Sequence, residues 1–166
     1  MKIFLGLGSN IENRYNNLQL GLKCLNDHPH IWITNESYIY KSPSMYVLDK
    51  ADYYNMVIEV ETNLEPLNLL KVVKEIEAKC GRIKNDIKNM PRKLDIDILS
   101  IDNLIIETNI LMVPHSKISE RLFVLRPWND IAPNFIIPKI NKTVSTLLQE
   151  NNCDNNLRMI LILDEK

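Results

Sequence analysis

The first apolar run, "KIFLGLG" at 2 to 8, is short and closed by glycine, which is the pattern of a buried strand. The polar segment after it, "ENRYNNLQLGLKCLNDHP", carries Leu18, Leu22 and Leu25 at helical spacing and ends at Pro29, so it predicts a helix. "HIWITNESYIYKS" and "YYNMVIEVETN" are β-rich and alternate apolar with polar positions, reading as two strands that are antiparallel neighbours. Between them lies "PSMYVLDKAD", a connection of about ten residues, long enough to be suspected of function. "EPLNLLKVVKEIEAKCG" places Pro66 at a helix start, Leu70, Val73, Ile76 and Cys80 along one face, and Gly81 as its stop. "RIKNDIKNMPRK" is polar, basic and broken by proline, a loop that leads into the strand "LDIDILSID". "LIIET" is expected to pair with that strand across Asp102 and Asn103. "TVSTLLQEN" predicts a short helix and "LRMILILD" a last strand.

The order of strand, helix, strand, strand, helix, strand fits an α+β fold, a ferredoxin-like α/β sandwich with two helices on one face of a mainly antiparallel sheet. No repeat, low-complexity tract or linker divides the chain, so a single domain over residues 1–166 is expected.

The strand in "PRKLDIDILSID" raises a chemical question. Period-two geometry puts Asp95 and Asp97 on one face, with Leu94, Ile96 and Ile98 on the other. Like charges about 7 Å apart repel unless something positive lies between them. A half-solvated sheet with an acidic outer face explains the pattern. So does a bivalent metal held by two hard oxygen ligands together with substrate phosphates.

Composition narrows the field. With 45% hydrophobic and 25% charged residues the chain is of ordinary globular type, and Lys+Arg 20 against Asp+Glu 21 argues against a protein devoted to non-specific nucleic-acid binding. Cys24, Cys80 and Cys153 are odd in number, far apart and without CxxC spacing, as expected of reduced thiols in a cytoplasmic protein. The N-terminal apolar stretch is too short for a signal peptide, and no run approaches the roughly 18 apolar residues of a membrane span.

Cations surround the acidic pair in sequence. Arg82 and Lys84 follow the second helix, Arg92 precedes Asp95, and His115, Lys117 and Arg121 come after it. Arginine's planar fork suits phosphate oxygens and paired aspartates suit Mg²⁺, so the set makes sense as a site for a metal-bound polyphosphate. "GLGSN" at 6 to 10 lacks the third glycine of a dinucleotide loop and the lysine of a Walker motif. It reads as a strand-to-helix turn in which Gly8 allows close ligand approach and Ser9 or Asn10 caps the helix.

Gly-Ser-Asn after the first strand, "YYN" at 53 to 55, Glu77 ahead of Gly81-Arg82, "PRKLDIDIL", "VPH" at 113 to 115 and "ERLFVLRPWNDIAP" together resemble the hydroxymethyl-dihydropterin pyrophosphokinase family in order and spacing. The resemblance implies transfer of the terminal pyrophosphate of ATP to 6-hydroxymethyl-7,8-dihydropterin in folate biosynthesis, with AMP as the other product. It implies Asp95 and Asp97 as ligands of two Mg²⁺ ions, and Arg82, Arg92, His115 and Arg121, with Lys84, around the phosphates of ATP. Arg82 and Arg92 would sit on loops that close over the site. Glu77 and Ile98 would lie near the nucleoside. The pterin would stack between Tyr53 and Phe123, read by Asn55 and by the segment of Ser42, Pro43 and Met45. The resemblance also implies a monomer without nucleic-acid or membrane partners, and raises association with dihydropteroate synthase. The chain departs from the family pattern at Asn89 and Met90, at Ser116, and in "SMYVLDKAD".

Overall fold

β1 (Lys2–Ser9) is an inner strand of the main sheet, and its alternation sorts the two faces. The computed structural model describes residues 1–11, 13–43, 52–81 and 92–151. Ile3, Leu5 and Leu7 point to one side, where they join Leu18, Leu22 and Leu25 of α1 (Arg14–Asn26) and Leu69, Val73 and Ile76 of α2 (Pro66–Lys79) in one buried core. Both helices are where the apolar spacing puts them. Pro66 opens α2, and Gly81, at φ 91, takes the left-handed conformation just beyond it.

The sheet runs in the order β2 (Ile31–Glu36), β4 (Tyr53–Thr62), β1, β5 (Asp95–Ile101), each antiparallel to its neighbour. β1 and β2 therefore run parallel on either side of β4 and are joined by α1, the split βαβ arrangement of a ferredoxin-like α+β fold. The stretch read as one strand over 30 to 42 is two. β3 (Tyr40–Ser42) pairs with Tyr53 to Asn55 of β4, while Ser37 bridges the interval, its backbone N–H donating to the Val57 carbonyl and its hydroxyl accepting from the Val57 N–H.

A bulge adjusts the register between β1 and β5. Leu5 faces Ile98 and Phe4 faces Ser100, so Leu99 is the extra residue on β5. The shift returns Ile101 to the first core with Ile96 and Ile98, and leaves Leu99 on the opposite face beside Phe4.

That opposite face is half covered. Phe4, Val57 and Leu99 pack under α3 (Leu122–Ile131) and α4 (Val144–Asn151) through Val124, Leu125, Trp128, Leu147 and Leu148. The helix α4 follows the predicted pattern, whereas α3 does not announce itself because Pro127 lies inside it. An interior proline costs about 3 kcal/mol. Burying Val124, Leu125 and Trp128 returns about 1.5–3 kcal/mol per large side chain, so packing outweighs the local penalty.

One pairing differs from expectation. β6 (Ile106–Glu107) pairs with β7 (Met112–Val113), not with β5. Asp102, at φ 39, ties back to β1: its N–H donates to the Lys2 carbonyl at 2.8 Å and its carboxylate accepts from the Lys2 N–H at 2.8 Å. With Leu104 N–H closing the turn onto Ile101, the chain leaves the sheet before a hairpin can form. A second small hairpin, β8 (Ile136–Ile137) with β9 (Lys142–Thr143), precedes α4. The expected strand "LRMILILD" lies outside the described residues, as does Cys153. No helix among the described residues is long and apolar enough to cross a membrane.

Candidate active site

The uncovered half of the second face opens into a cleft of about 360 Å³ whose floor is β1. Gly6 and Gly8, both facing this side, present no side chain. Gly8 lies between Asn55 of β4 and Asp95 of β5, and Gly6 between Val57 and Asp97. With neighbouring strands about 4.8 Å apart, Asn55 and Asp95 stand roughly 10 Å apart across bare backbone. A Cβ on Gly8 would come within 3.2 Å of the Asn55 side-chain oxygen Oδ1, and one on Gly6 within 3.3 Å of Leu99. Gly8 was legible as a position of close approach. Gly6 was not, although a Gly-x-Gly spacing within a strand is itself a signal that one face is bare.

On one wall Asn55 is buried and its Nδ2 donates to Ser42 Oγ at 2.8 Å, which leaves its carbonyl oxygen over the Gly8 floor. Ser42, Pro43, Tyr53 and Phe123 line the same cleft, Tyr53 from β4 and Phe123 from the first turn of α3. On the other wall Asp95 and Asp97 share a face, as period two requires. Asp95 accepts from Arg92 Nη1 at 2.9 Å and Asp97 from Arg121 Nη1 at 3.2 Å, so one arginine per carboxylate offsets the repulsion between the acids. The Arg121 guanidinium also lies 5.6 Å from the centre of the Phe123 ring, which brings the charged and aromatic ends of the cleft together.

Asn10 pins this arrangement. Its side chain accepts from the Arg92 N–H at 2.6 Å and its own N–H donates to the Arg92 carbonyl at 3.2 Å. The expectation that Ser9 or Asn10 caps α1 is therefore corrected: the helix starts at Arg14, Asn13 holds the cap position without a side-chain bond, and Ser9 Oγ accepts from Asn17 one turn inside. The sequence signal was a polar turn, and a partner 82 residues away decided its use.

A second groove of about 300 Å³ shares Asp97 and His115 with the first cleft. Its lining is mixed: Leu70, Ile98, Ile110, Leu111 and Met112 give apolar surface, while Lys74, Thr108, Asn109 and Ser116 add polar groups to those of Asp97 and His115. Ile98 lines this groove. Glu77 does not: it is 1% exposed, behind β5, accepting from the Ile96 N–H at 2.7 Å and from Lys74 Nζ at 2.7 Å. Only Lys74, which the sequence did not single out, carries that pair to the groove. Burial raises the Glu77 carboxyl above its ordinary value, against the pull of Lys74.

Glu77→Ala is expected to lower unfolding free energy by about 2 kcal/mol, because the buried Ile96 N–H loses its acceptor while the half-exposed Lys74 can turn to water. Denaturant titration checks this. Since the raised value means that the unfolded chain ionises first, the carboxyl's contribution is largest below the ordinary Glu pKa and declines as pH rises through the folded value. Glu77→Gln should flatten that part of the stability profile.

His115 joins the two spaces. Its backbone N–H donates to the Leu99 carbonyl at 3.0 Å and its Nδ1 accepts from the Lys117 N–H at 3.2 Å, which leaves Nε2 as the protonated nitrogen of the neutral ring. Burial lowers its pKa, although Asp97 pulls the other way. Arg82, Lys84 and Met45, with Asn89 and Met90, lie outside the described residues.

Among the described residues no group of three or more His, Cys, Asp or Glu side chains could hold a metal ion. Asp95 and Asp97 offer two carboxylates beside a bare floor, a donor set that fits Mg²⁺, which keeps several waters and takes one or two carboxylates along with phosphate oxygens.

Over residues 4–133 the chain matches the family described as 7,8-dihydro-6-hydroxymethylpterin-pyrophosphokinase. It is 38% identical over 145 residues to "Folic acid synthesis protein FOL1" of Dictyostelium discoideum, covering 87% of this chain and 22% of that protein. It is 38% identical over 128 residues to the 2-amino-4-hydroxy-6-hydroxymethyldihydropteridine pyrophosphokinase of Bacillus subtilis, covering 77% of this chain and 76% of that protein. The chain thus spans about a fifth of the length of the first relative and three quarters of the second. In structure it is similar to the Plasmodium falciparum HPPK-DHPS wild type crystallised with pteroate, with a TM-score of 0.72 over 90% of this chain and 42% of that one. At 17% identity that likeness concerns the fold.

Proposed function

The chain belongs to the 7,8-dihydro-6-hydroxymethylpterin-pyrophosphokinase family, and from that premise we propose that it transfers the terminal pyrophosphate of ATP to 6-hydroxymethyl-7,8-dihydropterin, a step of folate biosynthesis. The observation that carries this reading is the position of the acids: Asp95 and Asp97 lie side by side in a cleft walled by Tyr53, Asn55 and Phe123, and Asp97, with His115, also borders the neighbouring groove. A base in the groove and a flat, amide-edged ring in the cleft would bring a polyphosphate across the acids.

In this reading Ile98 and the other apolar side chains hold the nucleoside. Tyr53 and Phe123 orient the pterin by stacking, while Asn55, its amide fixed by Ser42, reads the ring's edge beside Pro43. Asp95 and Asp97 hold Mg²⁺, which when bound supplies neutralisation of the phosphate charge. Their present arginine partners are partly exposed pairs of a kind worth about 0–1 kcal/mol, so Arg92 and Arg121 can turn from carboxylate to phosphate at little cost. His115 offers a neutral N–H to the same oxygens. The pterin's hydroxymethyl oxygen forms a bond to the β-phosphorus, the bond from that phosphorus to the α-phosphate oxygen breaks, AMP leaves, and the alcohol proton passes to solvent. No described side chain in the cleft is placed as an evident base for that alcohol, so positioning and charge carry the rate.

Product identity tests the reaction: phosphorus NMR after incubation with ATP and the pterin should show AMP and a pterin diphosphate in equal amounts. ADP with a pterin monophosphate would contradict the reading. Gly8→Ala tests the cleft. The added methyl must push the Asn55 side-chain amide by a few tenths of an ångström, so KM for the pterin should rise about tenfold in steady-state assays while KM for ATP stays near wild type.

A further inference from the structure

Tyr40 and Asp130 are 90 residues apart in sequence and touch behind the cleft. Tyr40 opens β3 and is 4% exposed; its hydroxyl donates to the Asp130 carboxylate, with oxygens at 2.7 and 2.9 Å. Asp130 lies in the last turn of α3. Burial, with the hydrogen bond it donates to this carboxylate, pushes the Tyr40 phenol up to about 12, so the hydroxyl remains a donor throughout the neutral range.

What this bond joins gives it a role. β3 is a three-residue edge strand with one strand partner, and Tyr40 sits directly opposite Asn55 in the ladder. Ser42, two residues on and therefore on the same face, is the acceptor that fixes the Asn55 amide. At its other end α3 carries Phe123. The Tyr40–Asp130 bond thus ties the strand that orients Asn55 to the helix that carries the opposing ring. So short an edge strand has few ladder bonds to hold it, and a charge-assisted hydrogen bond to a packed helix is a strong additional restraint.

We propose that the Tyr40–Asp130 hydrogen bond clamps β3 to α3 and sets the shape of the pterin cleft, making Tyr40 a positioning residue for the acceptor substrate. This rests on the reading of that cleft given above. Neither side chain lines the cleft, so the pair acts through Ser42, Asn55 and Phe123.

Steady-state kinetics on four variants test it. Tyr40→Phe removes the hydroxyl alone and should raise KM for 6-hydroxymethyl-7,8-dihydropterin about five- to tenfold, with KM for ATP and kcat at saturation within twofold of wild type. Asp130→Leu, which also removes the acceptor of the Tyr38 backbone N–H, should raise the pterin KM at least as far, whereas Asp130→Asn, which keeps an acceptor, should restore most of the affinity. Asn55→Ala is the control for the cleft. If Asn55→Ala raises the pterin KM and Tyr40→Phe leaves it unchanged, or lowers kcat alone as a loss of folded protein would, the clamp is wrong and the cleft assignment stands. If Asn55→Ala itself leaves the pterin KM unchanged, the cleft assignment fails and the clamp fails with it.

Discussion

Asp97→Ala is expected to lower pyrophosphoryl transfer by about a thousandfold or more, the scale of removing a main electrostatic stabiliser from a site of phosphate charge. The position explains the size. Asp97 faces Gly6 across the bare floor and is the one carboxylate among the described residues that borders both the groove and the cleft. Among the described residues it pairs with Arg121, with side chains 35% and 22% exposed, a pair whose loss costs about 0–1 kcal/mol of stability. Activity and stability should therefore separate: turnover falls while the thermal midpoint moves by no more than a few degrees. An active Asp97→Ala protein would remove the metal assignment, and an unfolded one would mean that Asp97 serves the fold.

Trp128→Ala should show the reverse pattern. The indole is fully buried beneath α3, with Phe4 at 5.1 Å and Phe135 at 5.7 Å between ring centres, and Phe4 and Phe135 are themselves 4.8 Å apart. Removing it opens a cavity within an aromatic cluster, and large-to-small changes of this type cost about 3–5 kcal/mol. For a chain of this length the thermal midpoint should drop by roughly 10 °C. Because α3 also carries Phe123 and Asp130, the folded fraction should bind pterin more weakly than it binds ATP. A midpoint within 2 °C of wild type would mean that the second core does not brace the cleft.

Local pattern made the central features readable. The alternation in "LDIDIL" was enough to put both acids on one face, and leucine spacing with Pro66 and Gly81 was enough for α1 and α2. The α+β class and the antiparallel pairing of the strands on either side of "PSMYVLDKAD" followed from the sequence of elements. What the pattern missed was decided at long range. α3 contains a proline that local rules read as a break, and only burial on Phe4 and Leu99 makes it worthwhile. "LIIET" follows a turn that ties back to Lys2 and so cannot return to β5. Glu77 entered only through the resemblance, as a neighbour of the nucleoside, and only the fold reveals that it accepts from a backbone N–H. Asn10 and Tyr40 find partners 82 and 90 residues away, beyond any periodicity.

The most direct test of the whole account is AMP formation from ATP by the purified protein, with Mg²⁺ or with EDTA, in the presence and absence of 6-hydroxymethyl-7,8-dihydropterin. The placement of two carboxylates in the cleft, one of them bordering the groove as well, predicts AMP only when metal and pterin are both supplied. AMP that forms equally well in EDTA, or none from folded protein with both supplied, would contradict it.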